Sequence, residues 1–194
     1  MDSSVLAAIA KWPNVPAVYG WLGLTARGEW RIRGEPIANA AIREFIARNY
    51  AADERGCWYF QNGPQRVYVE LEATPWIWRI AVEGQRPQLR AHTGALARHL
   101  QGAWLDEHGR SYLETENGGG LVDSADSSTV LDAVSVPGGR APAVAELDAW
   151  MAGGGLRLEL DGAPLGLGGR VELGRLRSSE VPDRFGFVRA PAAK

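Results

Sequence analysis

Glu70 and Glu72 stand two residues apart in the run from Arg66 to Glu72, in step with Arg66 and Tyr68. In an extended chain, residues at that spacing share a face. Two carboxylates beside an arginine and a phenol are groups that acid/base chemistry uses when a cleft holds them. The wet side of a half-buried strand shows the same pattern, and that reading competes with the first. Other chemistry-bearing residues are sparse. His92, His99 and His108 lack the close spacing of zinc motifs, and Cys57 is remote from them. Cys57 is the one cysteine, so no intrachain disulfide can form; an unpaired thiol in an aromatic run is usually buried and inert. Neither Gly118 to Gly120 nor Gly166-Leu167-Gly168-Gly169 is followed by Lys-Ser/Thr or a good helix, so both read as tight turns and not as phosphate cradles. No Gly-x-Ser-x-Gly elbow occurs. These residues call for no cofactor and no metal.

A binding surface is the stronger expectation. Trp76 and Trp78 alternate with Ile77, and the loop before them carries the amides of Gln61, Asn62 and Gln65 next to Arg66 and Tyr68. Tryptophan, tyrosine and arginine dominate the energetic centres of binding surfaces. The candidate site is therefore Gln61, Asn62, Gln65, Arg66, Tyr68, Trp76 and Trp78, facing a protein or a small ligand, with a homodimer as a further option. The alternative is a small enzyme using Glu70 or Glu72 with Arg66 as acid/base and anion-binding groups.

The elements that must position these residues are legible. Cys57 to Val82 reads as three strands, broken at Asn62-Gly63-Pro64 and Thr74-Pro75. Before it, Val18 to Leu24 and Glu29 to Arg33 form a hairpin, and Ile37 to Tyr50 has helical spacing of Ile42, Phe45 and Ile46. The second half repeats the order: a hairpin around Glu107-His108-Gly109, an inserted segment, a helix from Ala143 to Met151, then strands broken at Asp161-Gly162-Ala163-Pro164. The expected fold is α+β, with two diverged ββαβββ-like units, each a mostly antiparallel sheet with one packed helix. Their expected bounds are 1–95, with an N-terminal helix, and 96–194.

The run WYFQNGPQRVYVELEATPWIWRI, with KWPNVPAVYGWL and IREFIARNY upstream, resembles a proteobacterial family of unknown function over about the first hundred residues. The layout of Gly28-Glu29-Trp30, helix, strand, proline and a Val/Glu-rich strand is similar to a second such family. That likeness implies a repeated α+β motif and a signalling role. Neither resemblance supplies catalytic residues.

Composition bounds the rest. Hydrophobic residues make up 45% of the chain and the net charge is −2, which fits a globular core and argues against nucleic-acid binding. Residues 1–99 hold 12 Lys+Arg against 9 Asp+Glu, and residues 100–194 hold 9 against 14, so the halves differ in sign. No apolar run reaches the ~18–20 residues of a membrane helix. Asp2 and the early Lys11 make the N-terminus a short helix and not a leader. A bacterial cytoplasmic protein is expected.

Overall fold

The computed structural model describes residues 1–193; Lys194, the last residue of the expected second unit, lies outside the described residues. The architecture is α+β, two sheets with few helices. The chain divides into two compact units. The first comprises residues 1–75, 92–94 and 182–193, and the second comprises 76–91 and 95–181. This corrects the expected bounds of 1–95 and 96–194. The strands after Pro75 pair in the second sheet, and the C-terminal segment returns to the first unit, where the Leu71 N–H donates to Arg189 O and the Val188 N–H to Gly56 O.

Six strands form the first sheet: β1 (Val18–Leu24), β2 (Trp30–Ile32), β3 (Glu35–Pro36), β4 (Tyr50–Ala52), β5 (Trp58–Asn62) and β6 (Gln65–Leu71). Their order is β3-β2-β1-β6-β5-β4, with β1 and β6 parallel and the other pairs antiparallel. Pro36 sits in the edge strand, where its missing N–H costs no ladder bond. Helix α1 (Ser3–Lys11) precedes the sheet, and α2 (Ala40–Arg48) links β3 to β4. α2 is shorter than the expected span of 37–50. Asn39 caps it by accepting from the N–H groups of Ala41 and Ile42, and Tyr50 leaves it to pair with Phe60.

The second sheet has eight strands: β7 (Trp76–Glu83), β8 (Arg86–Ala91), β9 (Leu100–Leu105), β10 (Ser111–Thr115), β11 (Gly118–Val122), β12 (Val134–Ser135), β13 (Glu159–Asp161) and β14 (Arg170–Arg175). The order is β12-β13-β14-β9-β10-β11-β7-β8. Six of these strands repeat the connectivity of the first sheet, with β9 to β14 in the places of β1 to β6 and a parallel β9–β14 pair in the place of β1–β6. The turns Asn62-Gly63-Pro64 and Asp161-Gly162-Ala163-Pro164 both join the fifth strand to the sixth, as the sequence pattern implies.

The helix correspondence differs from the expected one. The element between the third and fourth strands is α3 (Ser127–Asp132), which follows a 3₁₀ turn capped by Asp123. The helix α4 (Val144–Met151) is an insertion between β12 and β13. Its apolar stripe was the more conspicuous in sequence, yet α3 holds the place of α2. After β14 the chain forms one short helical turn, α5 (Val181–Phe185).

Three turns share one construction. Thr25, Asp53 and Asp106 each use a side-chain oxygen to accept from N–H groups two and four residues on, while their own N–H bonds the carbonyl four residues on. The fourth residue is Gly28, Gly56 or Gly109, at φ 74–78°, a region that only glycine enters freely. Among the described residues no helix is long and apolar enough to cross a membrane.

Candidate functional site

Strand β6 sorts its residues by alternation. Val67, Val69 and Leu71 face α2, while Arg66, Tyr68 and Glu70 face away from it. On the outer side Tyr68 is buried and stacks on Tyr19 at 4.6 Å with the rings 5° apart. Its hydroxyl donates to Asp53 Oδ2 at 3.0 Å, and Arg55 reaches that hydroxyl at 3.4 Å. Asp53 also accepts from the Cys57 N–H and from Arg55 Nε and Nη2. Burial alone would raise the Asp53 pKa, but these hydrogen bonds outweigh it and lower it. Tyr68 moves the other way, raised by burial and then by Asp53. Cys57 is buried beneath Tyr59 and Tyr68, and burial followed by the Asp53 charge raises its pKa. The thiol is therefore held in its unreactive form.

The seven expected site residues do not form one patch. Trp76 and Trp78 belong to the second unit, where Trp78 is fully buried and donates to Leu113 O at 3.3 Å. Gln61 is also buried, donating to Gly63 O across its own turn. Arg66 lies over the Tyr59 ring at 4.6 Å. Asn62 and Gln65 close the β5–β6 turn, and Gln65 donates to Pro16 O. The first sheet thus gathers Arg66 and Tyr68 on one face and places Asn62 and Gln65 at a cavity on the other.

The carboxylate pair is likewise divided. Glu72 Oε2 accepts the Ala26 N–H of the β1–β2 turn, which ties it to structure. Glu70 is exposed, and its carboxylate makes no hydrogen bond or ion pair among the described residues. Four residues of extended chain separate it from Arg66, about 13 Å. Acid/base work by Glu70 with Arg66 has no assembled geometry here.

A largely apolar cavity lies between α2 and the first sheet. Its volume is about 600 Å³, within the range of small-molecule sites, and its lining is largely apolar. Ile42, Phe45 and Ile46 of α2 form one wall; Trp21, Leu22, Ile32, Phe60 and Val67 form the other, and the amides of Asn62 and Gln65 stand at its edge. Ile42, Trp21 and Ile32 remain 45%, 49% and 44% exposed, so the helix covers the sheet incompletely. Sequence reasoning took the Ile42–Phe45–Ile46 stripe as core-facing and missed this gap. The sequence pattern extends the helix over 37–50, whereas α2 spans only the nine residues Ala40–Arg48 and leaves part of the six-stranded sheet uncovered.

A family model described as "Protein of unknown function (DUF2946)" matches residues 1–192. The chain belongs to this family. The match extends well past the first hundred residues that carry the sequence resemblance. No curated protein matches. Among solved structures, a DUF1285 family protein from Silicibacter pomeroyi DSS-3 is similar at 17% identity and a TM-score of 0.47, covering 70% of this chain and 86% of its own. A duf1285 family protein from Shewanella baltica OS155 is similar at 17% identity and a TM-score of 0.43, covering 57% and 90%. The specific function of this DUF2946 family member is unknown. Among the described residues no group of three or more His, Cys, Asp or Glu is placed to hold a metal ion.

Proposed function

We propose that this protein is a non-enzymatic binding module whose first unit takes a small ligand with an apolar body and a polar end. One observation carries the reading: the cavity of about 600 Å³ between α2 and the sheet joins a nearly continuous apolar lining to two amides at its edge. Burying such a body removes apolar area from water at about 25 cal/mol per Å². The amides of Asn62 and Gln65 supply donors and acceptors that fix orientation. A single cysteine, buried and held protonated, fits a reducing compartment, so we place the module in the cytoplasm; fractionation of cells tests that separately.

The test is an NMR titration with octanamide and decanamide, which carry an alkyl body and an amide end. Shifts should map to α2, β1 and the Asn62–Gln65 turn, and saturate. Ile42→Arg, at a position exposed enough to tolerate the charge, should abolish binding, and Asn62→Ala should weaken it. Binding that survives Ile42→Arg in a folded protein, or no saturable binding at all, overturns the proposal.

A further inference from the structure

The matching connectivity of the two sheets allows them to be compared position by position. The β1–β2 turn opens at Thr25 and the β9–β10 turn at Asp106, with the same hydrogen bonds. Gly23 therefore holds the place of Trp104, Arg31 that of Tyr112, and Glu70 that of Gly174. In the second sheet the Trp104 indole lies flat over glycine. A Cβ on Gly174 would stand 2.6 Å from its Cδ1, and one on Gly102 would run into its six-membered ring. In the first sheet the row is Arg31–Gly23–Glu70, directly paired across three strands on the face away from α2. A Cβ on Gly23 would meet only Glu70 O, at an ordinary 3.7 Å, so nothing in the fold demands glycine there and Trp21 does not cover it. A cavity of about 550 Å³ lies at that place, lined by Gly23, Arg31, Arg33, Glu70, Glu72 and Arg189 among others.

Two arginines bring positive charge to this cavity. Arg31 Nε has no hydrogen-bond partner among the described residues, while Nη2 of the same side chain, 42% exposed, pairs with Glu29 Oε2 at 3.3 Å, so one edge of the group is left to meet an anion. Arg33 is the one non-glycine residue among those described with a positive φ, at 51°. Its N–H bonds Trp21 O at 2.8 Å and its guanidinium stacks on the Trp21 ring at 3.8 Å, holding the cation at the cavity wall. The positive φ of Arg33 and of Gly34 (86°) is that of the two-residue type I′ turn joining Ile32 to Glu35, which sets the Arg33 side chain beside Trp21.

We propose that the first unit binds a small heteroaromatic anion whose ring lies over Gly23, where the second unit places the Trp104 indole. The anionic group meets Arg31 and Arg33, and an N–H edge of the ring donates to Glu70. This site centres on the opposite face of the sheet from the α2 cavity, shares Trp21 and Leu22 of strand β1 with it, and does not rest on ligand binding there.

The test is calorimetric and NMR titration of the full chain with indole-3-acetate and guanosine 5′-monophosphate, each an anionic heterocycle with an N–H edge, against indole and acetate as controls. At least one of the two anionic heterocycles should bind saturably and shift residues 20–25, 31 and 70. It should bind at least tenfold tighter than either control. Gly23→Val keeps strand propensity and fills the space, so it should remove binding; Gly23→Ala should fold as the parent does and weaken binding. Arg31→Ala and Glu70→Gln should each cost several-fold. Saturable binding that Gly23→Val leaves unchanged, shifts that map elsewhere, or no saturable binding of either anion overturns the proposal. Binding of indole as tight as indole-3-acetate overturns the role of the arginines.

Discussion

The Tyr68 hydroxyl donates to Asp53 Oδ2 at 3.0 Å, joining the central strand β6 to the β4–β5 turn that Asp53 itself closes. One carboxylate thereby serves the turn, the Arg55 fork and a buried phenol. Removing the phenol oxygen leaves Asp53 with its remaining donors. Tyr68→Phe should thus cost about 1 kcal/mol in denaturant unfolding. Asp53→Ala loses all of these bonds and should cost about 2–3 kcal/mol. Equal losses for the two variants would show that the turn does not depend on the carboxylate.

Stability should fall in mild acid because of His92. Its ring sits among Trp30 and Tyr50 at 5.3 and 5.9 Å, and burial pushes its pKa from 6.5 down to about 3. Between those values the unfolded chain binds more protons than the fold, so stability rises with pH there. The penalty is absent above about pH 6.5 and grows as pH drops toward 3. The ring is only partly shielded from water, and each tenfold change in proton affinity is worth about 1.4 kcal/mol, so a loss of about 1–3 kcal/mol by pH 4 is expected. Thermal unfolding of His92→Gln from pH 7 to 4 should show a flatter profile than the parent.

Glycines 23 and 120 should respond oppositely to alanine. A Cβ on Gly120 would lie 2.5 Å from Trp76 O and from Trp78 Nε1, with no space to relax. Gly120→Ala should destabilise by about 1–3 kcal/mol. Gly23→Ala meets no close atom and should be neutral or stabilising by up to about 1 kcal/mol. Chemical denaturation of both variants checks the contrast.

Cys57 should resist thiol reagents. It is 5% exposed, and burial together with Asp53 raises its pKa. Labelling by a disulfide reagent at pH 7 should proceed at the rate of local opening and accelerate sharply in denaturant. Rapid labelling of the native protein would contradict the packing of Tyr59 and Tyr68 over the thiol.

Much of the fold is legible along the chain. The hairpin at Thr25–Gly28, the strand alternation of Arg66 to Glu72 and the paired turns after the fifth strands each rest on local chemistry, and the structure reproduces them. The candidate site was legible only in part. Arg66 and Tyr68 share a face as alternation requires, but Trp76 and Trp78 could not be placed, because alternation says which face a residue occupies and not which sheet the strand joins.

Local spacing and turn residues, then, determined the first hairpin, the strand over Arg66 to Glu72 and the turns at Asn62-Gly63 and Asp161-Gly162. Tertiary pairing decided the rest. It set β7 parallel to β11, so that Gly118 to Gly120, which reads as a turn, is a strand whose lack of side chains leaves room for Trp76 and Trp78. It also put Glu70 across Gly23 from Arg31 and not beside Arg66. Strand register across a sheet is fixed by which faces bury together, and partners as distant in sequence as Gly23 and Glu70 leave no local mark that specifies them.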